Sequence, residues 1–328
     1  MSFPFRYFPV LTLLVALAVG AAGSPAAHAH GLALVMNSGE ASLSIVDMDT
    51  HREVRRIPVL REPHHWALTP DRRGLLVGDT AGNVLFDLDP TTFALRRQVS
   101  VADPYQLGFS PDGKFLTVNG NGRNQVDIYD GATLKLVKRF PLARTPSHLD
   151  YAPDGSHVYV SLQDTDRLVS IDLRTLTVQW DEKVGRVPAG VLWLNGRVLV
   201  ALMNDEGFAV VDPATGHVER RVHTAAGAHQ LFLSPDRKIL WVNNRVAGTT
   251  VALDAATLAE IRSYRVSGGP DDIAFAPDGK LWITQRFVRT VAVLDPATGQ
   301  IETIEVGRQP HGIFLNPNAD AATLSASN

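Results

Sequence analysis

The chain has 328 residues, a formal net charge of −3 and no cysteine. A near-neutral balance without a polybasic run excludes a nucleic-acid partner, because phosphate binding needs a basic face. The missing thiols exclude disulfides, thiolate zinc sites, covalently attached c-type haem and cysteine nucleophiles.

Residues 1–29 read as an export signal. Arg6 is the first charge, an apolar stretch runs from Val10 to about Ala22, and Ala27-His28-Ala29 fits the small-x-small cleavage rule. The apolar run is too short for a spanning helix. The expected location is the periplasm, with no membrane span in the mature chain. Cleavage after Ala29 would leave His30 first, able to chelate copper through its amino group and imidazole together.

From residue 30 to 317 the chain is periodic. Asp-x-x-Thr recurs at Asp47, Asp89, Asp130, Asp172, Asp212, Asp254 and Asp295, a spacing of about 40–42 residues that suits propeller blades. A second signal shares the period: an apolar run ending in Pro-Asp-Gly or a relative, as at Pro111-Asp112-Gly113 and Pro153-Asp154-Gly155. Each repeat divides into four strand-sized pieces with period-2 alternation, broken by Pro, Gly, Asn and Asp. Asp-x-x-Thr itself reads as turn chemistry, the Asp side chain accepting backbone N–H bonds two residues on. The fold expected is all-β: a seven-bladed propeller with four antiparallel strands per blade. The first repeat lacks an inner strand, and Gly312–Leu315 is an inner strand without a following blade. The C-terminal strand is therefore expected to complete the N-terminal blade, which removes open sheet edges. Trp66, Trp193, Trp241 and Trp282 fall in strands, as packing between blades. Residues 318–328 read as a frayed tail.

The phrases Ser110-Pro111-Asp112-Gly113-Lys114, Val158-Tyr159-Val160-Ser161 and Val306-Gly307-Arg308-Gln309-Pro310-His311-Gly312-Ile313 resemble periplasmic YVTN-type propellers across nearly the whole mature chain. The same repeat family is similar to the haem d1 propeller of cytochrome cd1 nitrite reductases, to lactonase propellers and to zinc-chaperone propellers. The resemblance implies a scaffold shared by several activities.

Five of the eleven histidines occupy one slot of the repeat, the two residues that enter the inner strand. The first position holds His64, Tyr105, Ser147, Ala189, His229, Asp271 and His311. The second holds His65, Gln106, His148, Gly190, Gln230, Asp272 and Gly312. Inner strands line the central channel, and successive strand residues face opposite ways. Alternation thus predicts that His229, Asp271, His311 and His64, on four consecutive blades, form a ligand set for zinc or copper. It turns His65 and His148 elsewhere, toward a cofactor or substrate. His148, His229 or His311 can serve as axial ligand to haem or haem d1, though no Cys-x-x-Cys-His segment accompanies it. Arg123, Arg167, Arg245 and Arg286, on loops beside the same mouth, form a cationic rim suited to carboxylates such as tetrapyrrole propionates.

The first reading is a periplasmic binding protein that holds a metal ion or metallocofactor at this mouth and can pass it to another periplasmic protein. The alternatives are a haem d1-like tetrapyrrole propeller, a lactonase-type hydrolase using Asp271, Asp272, Asp150 or Glu206 as acid or base, and a ligand-free interaction scaffold. The binding reading needs no catalytic residue.

Overall fold

The computed structural model describes residue 1 and residues 31–324. Its 28 strands form seven four-stranded antiparallel sheets. Blade 1 consists of Leu32–Asn37, Ser42–Asp47 and Arg52–Pro58, with Pro310–Asn316 as its inner strand. The inner strands of blades 2 to 7 are Pro63–Leu68, Gln106–Phe109, Pro146–Tyr151, Pro188–Leu194, Ala228–Leu233 and Pro270–Phe275. Consecutive inner strands pack side by side around the ring. The C-terminal strand pairs with Leu32–Asn37, Ile313 opposite Val35 and Asn316 opposite Leu32, so the expected closure is found.

The seven Asp-x-x-Thr segments are turns. Asp47 Oδ1 accepts the N–H of Asp49 at 3.0 Å and of Thr50 at 2.7 Å, and the hydroxyl of Thr50 at 2.9 Å. Asp254 repeats this with Ala256 and Thr257. Such bonds satisfy backbone donors that no strand partner reaches.

The core lies between blades. Its largest clusters each join one sheet to the next, as where Ala33, Val35 and Ile313 of blade 1 pack on Trp282, Val291 and Val293 of blade 7. Alternation places every second residue of a strand in each of the two flanking interfaces. The tryptophans sit there as expected: Trp66 meets Phe314 with ring centroids 4.9 Å apart, and its Nε1–H donates to the Ile313 carbonyl at 2.9 Å.

Two expectations about the ends fare differently. The segment read as a frayed tail from residue 318 is folded as far as 324: Ala321–Leu324 form a short helix, and Ala319 and Leu324 are buried against the interface of blades 1 and 2. The apolar residues of this tail cover Phe93 and Phe314, which accounts for its order. The export signal and His30 lie outside the described residues.

Asp150, on the inner strand of blade 4, accepts the N–H of Tyr151 at 2.8 Å and of Trp193 in blade 5 at 2.6 Å. Burial nevertheless pushes its carboxyl up to about 6. The folded state then binds a proton more tightly than the unfolded chain, so stability falls as pH rises from about 4 to about 6. Urea unfolding at several pH values should show this slope in the wild type and a flatter one in Asp150→Asn. A chain ending at Gln309 lacks the closing strand and is expected to lose its cooperative thermal transition, whereas one ending at Leu324 keeps it.

A buried histidine cluster at one mouth of the channel

The slot residues meet on the axis because the inner strands are bulged there. Pro63 pairs with Asp79 and Trp66 with Val77, so one extra residue is held between them. The register shifts in the same way after Pro146, Pro188, Ala228 and Pro270, and before Ile313. A bulge breaks alternation locally. Side chains of the second strand hold it in place. Ser161 Oγ accepts the His148 N–H at 3.0 Å and donates to the Ala189 carbonyl of the next blade at 2.7 Å. Thr284 Oγ1 does the same between Asp272 N–H, 2.9 Å, and the His311 carbonyl, 2.6 Å. Asn119 and Asn243 donate to the Ser147 and Asp271 carbonyls, each at 2.8 Å. Sequence reasoning misses these residues, although one signal points to them: a polar residue recurs near the end of the second strand in Val118-Asn119, Val160-Ser161, Val242-Asn243 and Ile283-Thr284.

The five histidines form one contiguous group. Ring centroids of His64 and His311 are 3.8 Å apart, His65 and His311 4.5 Å, His64 and His65 4.8 Å, His148 and His229 5.1 Å, and His65 and His148 5.3 Å. None is more than 5 % exposed. This corrects the expectation that His65 and His148 turn away. Both lie in the cluster, because the bulge lets both slot positions reach the axis. His148 and His229 meet across blade 5 because its slot is Ala189-Gly190, whose small side chains leave room. Tyr105 packs on His64 with ring centroids 4.1 Å apart and the planes tilted by 34°.

Asp271 is fully buried between His229 and His311, its Oδ1 2.8 Å from His229 Nδ1 and its Oδ2 3.5 Å from His311 Nε2. Arg245 bridges this pair: Nη2 bonds Asp271 Oδ1 and lies 2.8 Å from His229 Nε2. Arg286 Nε stands 4.0 Å from Asp271 Oδ2. Burial opposes ionisation of Asp271, but Arg245, His229 and Arg286 outweigh it and hold the carboxyl below its usual range. The neighbouring Asp272, its Oδ2 3.8 Å from His65 Nδ1, is pushed well up by burial and by the charge of Asp271. Burial also depresses all five imidazoles, His65 to about 3 and His229 to about 4. Burial thus favours the neutral imidazole, and His64, His65, His148 and His311 each keep one ring nitrogen without a partner, whereas both nitrogens of His229 are engaged by Asp271 and Arg245.

Two sets bring one ligand atom from each residue within 4.8 Å of one another: His64, His65 and His311, and His229, Asp271 and His311. The expected quartet is thus split, with His65 added. Within the protein, His64 Nδ1, His65 Nε2, His148 Nε2, His311 Nδ1 and Asp271 Oδ2 have no hydrogen-bond partner, a costly state for buried polar atoms that a bound cation would relieve. Of the arginines expected at the rim, Arg245 and Arg286 reach the cluster. Arg123 and Arg167 do not: Arg123 Nη2 donates to Asn83 at 3.0 Å and Arg167 Nε to Asp181 at 2.6 Å on its own blade. Loop position alone does not distinguish them. Asp150 serves the blade 4–5 interface described above, and Glu206 is paired with His223 at the surface.

A Cβ added at Gly190 would stand 2.1 Å from Gln230 Oε1 and 2.8 Å from the His229 carbonyl oxygen. Gly190→Ala should therefore cost about 1–3 kcal/mol by overpacking, read from urea unfolding.

Solved structures share the ring. The chain is similar to a functionally unknown protein from Desulfotomaculum acetoxidans DSM 771, with 13% identity, a TM-score of 0.75, and coverage of 88% of this chain and 100% of that one. It is similar to the dihydro-heme d1 dehydrogenase NirN in complex with DHE, with 16% identity, a TM-score of 0.65, and coverage of 88% and 75%. A streptogramin B lyase structure matches with 14% identity, a TM-score of 0.65, and coverage of 77% and 93%. These likenesses carry the fold alone. No curated protein sequence matches. The YNCE-like beta-propeller model matches residues 9–321, and the chain belongs to that family.

Proposed function

We propose that this propeller binds a single divalent transition-metal ion, zinc or copper, on its axis through His64, His65 and His311. The observation that supports this reading most is the convergence of three buried, neutral imidazoles from adjacent blades, with His64 Nδ1, His65 Nε2 and His311 Nδ1 unpartnered. Imidazole nitrogen suits both metals. Zinc–nitrogen bonds of about 2.0–2.1 Å require the ligand nitrogens, which lie within 4.8 Å of one another, to draw together. The alternative set is less available, since Asp271 is already neutralised by Arg245. Tyr105 and His148 pack against the triad and fix its rings, which lowers the ordering cost of binding. The protein would act in the periplasm as a metal carrier or buffer, handing the ion to another protein.

A tetrapyrrole is a weaker fit. Imidazole rings in contact, with centroids 3.8–5.3 Å apart, leave no space for a macrocycle between them, and two of the four rim arginines point elsewhere.

Purified protein should take up about one Zn²⁺ or Cu²⁺ per chain, with Kd raised at least a hundredfold in a folded His64→Ala/His311→Ala variant. Equal affinity in that variant would sink the reading. A Soret band on adding haem, lost in the variant, would replace it with the tetrapyrrole.

A further inference from the structure

The second potential ligand set, His229, Asp271 and His311, is complete in residue types yet already holds a cation of the protein's own. Arg245 Nη2 bonds Asp271 Oδ1 and lies 2.8 Å from His229 Nε2. It thus contacts two of the three residues that would ligate an ion there. The arginine is firmly anchored. It follows the strand Ile239–Asn244, its N–H donates to the Gly227 carbonyl at 2.8 Å, and its side chain is only 18% exposed. Arg286 approaches the other oxygen of Asp271, while its Nη1 donates to the Gln309 carbonyl at 3.0 Å. The first set, His64, His65 and His311, contains no carboxylate, and neither His64 nor His65 meets an arginine of the described residues at hydrogen-bond distance. His311 belongs to both sets.

We propose that Arg245 is a built-in counter-cation that closes the His229–Asp271 pole and restricts the cluster to one metal ion. The proposal rests on the reading of the triad as a metal site, but makes a separate claim about stoichiometry. A guanidinium and a divalent ion compete for the same carboxylate. Two divalent ions can share His311 only if it bridges them through both ring nitrogens as an imidazolate, its N–H proton leaving to solvent as the second ion binds, and with two arginines alongside this would still place several positive charges in a desolvated space. Arg245 therefore decides where the ion sits as well as how many enter. An ion delivered by a partner through the mouth meets the all-imidazole triad as the open position.

The test is equilibrium Zn²⁺ binding by the full mature chain, wild type beside Arg245→Gln, with Arg245→Lys as the charge-retaining control and thermal unfolding to confirm folding. One ion in wild type, two in Arg245→Gln and one in Arg245→Lys is the expected result. One ion in both wild type and Arg245→Gln, or two in wild type, overturns the counter-cation role. No ion in wild type and one in Arg245→Gln supports the role of Arg245 while overturning the triad as the resident site. No ion in either overturns both. If Arg245→Gln does not fold, anomalous scattering from Zn²⁺-loaded wild-type crystals decides. A single peak between His64, His65 and His311, with Arg245 still on Asp271, supports the proposal. A peak between His229, Asp271 and His311 with Arg245 displaced overturns it.

Discussion

The bulge that opens six of the seven inner strands, locked by hydrogen bonds from the strand beside it, is the constraint on which the site depends. A regular strand would send His64 and His65 to opposite faces. The extra residue between Pro63 and Trp66 removes that restriction, and hydroxyls such as Ser161 and Thr284 satisfy the donors and acceptors that the bulge frees. Because each lock reaches from one blade to the carbonyl of the next, the position of a slot residue is fixed by its neighbour as much as by its own sheet. Local irregularity, inter-blade register and the histidine cluster are one arrangement.

Ring closure supplies the other half. The inner strand of blade 1 comes from the far end of the chain, and it carries His311, the residue shared by both candidate ligand sets. The site therefore cannot form until the C-terminal strand has docked. Glu40 reinforces the same seam, accepting from Arg289 at 2.9 Å and from the Arg308 N–H at 2.9 Å. Folding and site assembly are coupled through a contact of high sequence separation, the kind that is slow to form.

The cluster concentrates cost in a small volume. Five desolvated imidazoles, two carboxylates and two guanidinium groups are gathered there. Burial lowers the imidazoles and raises the Asp272 carboxyl, while the two arginines beside Asp271 hold its carboxyl below the usual range. Such separation of charge states among neighbouring groups marks functional sites more often than structural ones. The opposite mouth, built from Pro-Asp-Gly turns, has Asp and Ser side chains satisfied by their own turns.

The seven-fold repeat makes the ring, its four-stranded blades, the closing strand and the Asp-x-x-Thr turns legible in the sequence itself, because turn chemistry and strand alternation are local and recur with a fixed period. The enrichment of histidine in one slot is equally visible, and it locates the mouth. Tertiary structure decided which of those histidines act together. Alternation is a property of regular strands, and it fails at the bulges, so His65 and His148 join the cluster. The roles of Arg123 and Arg245, alike as loop residues, are separated only by the neighbouring blade each one meets, since side chains on adjacent loops find partners through the ring's geometry and not through the sequence that carries them.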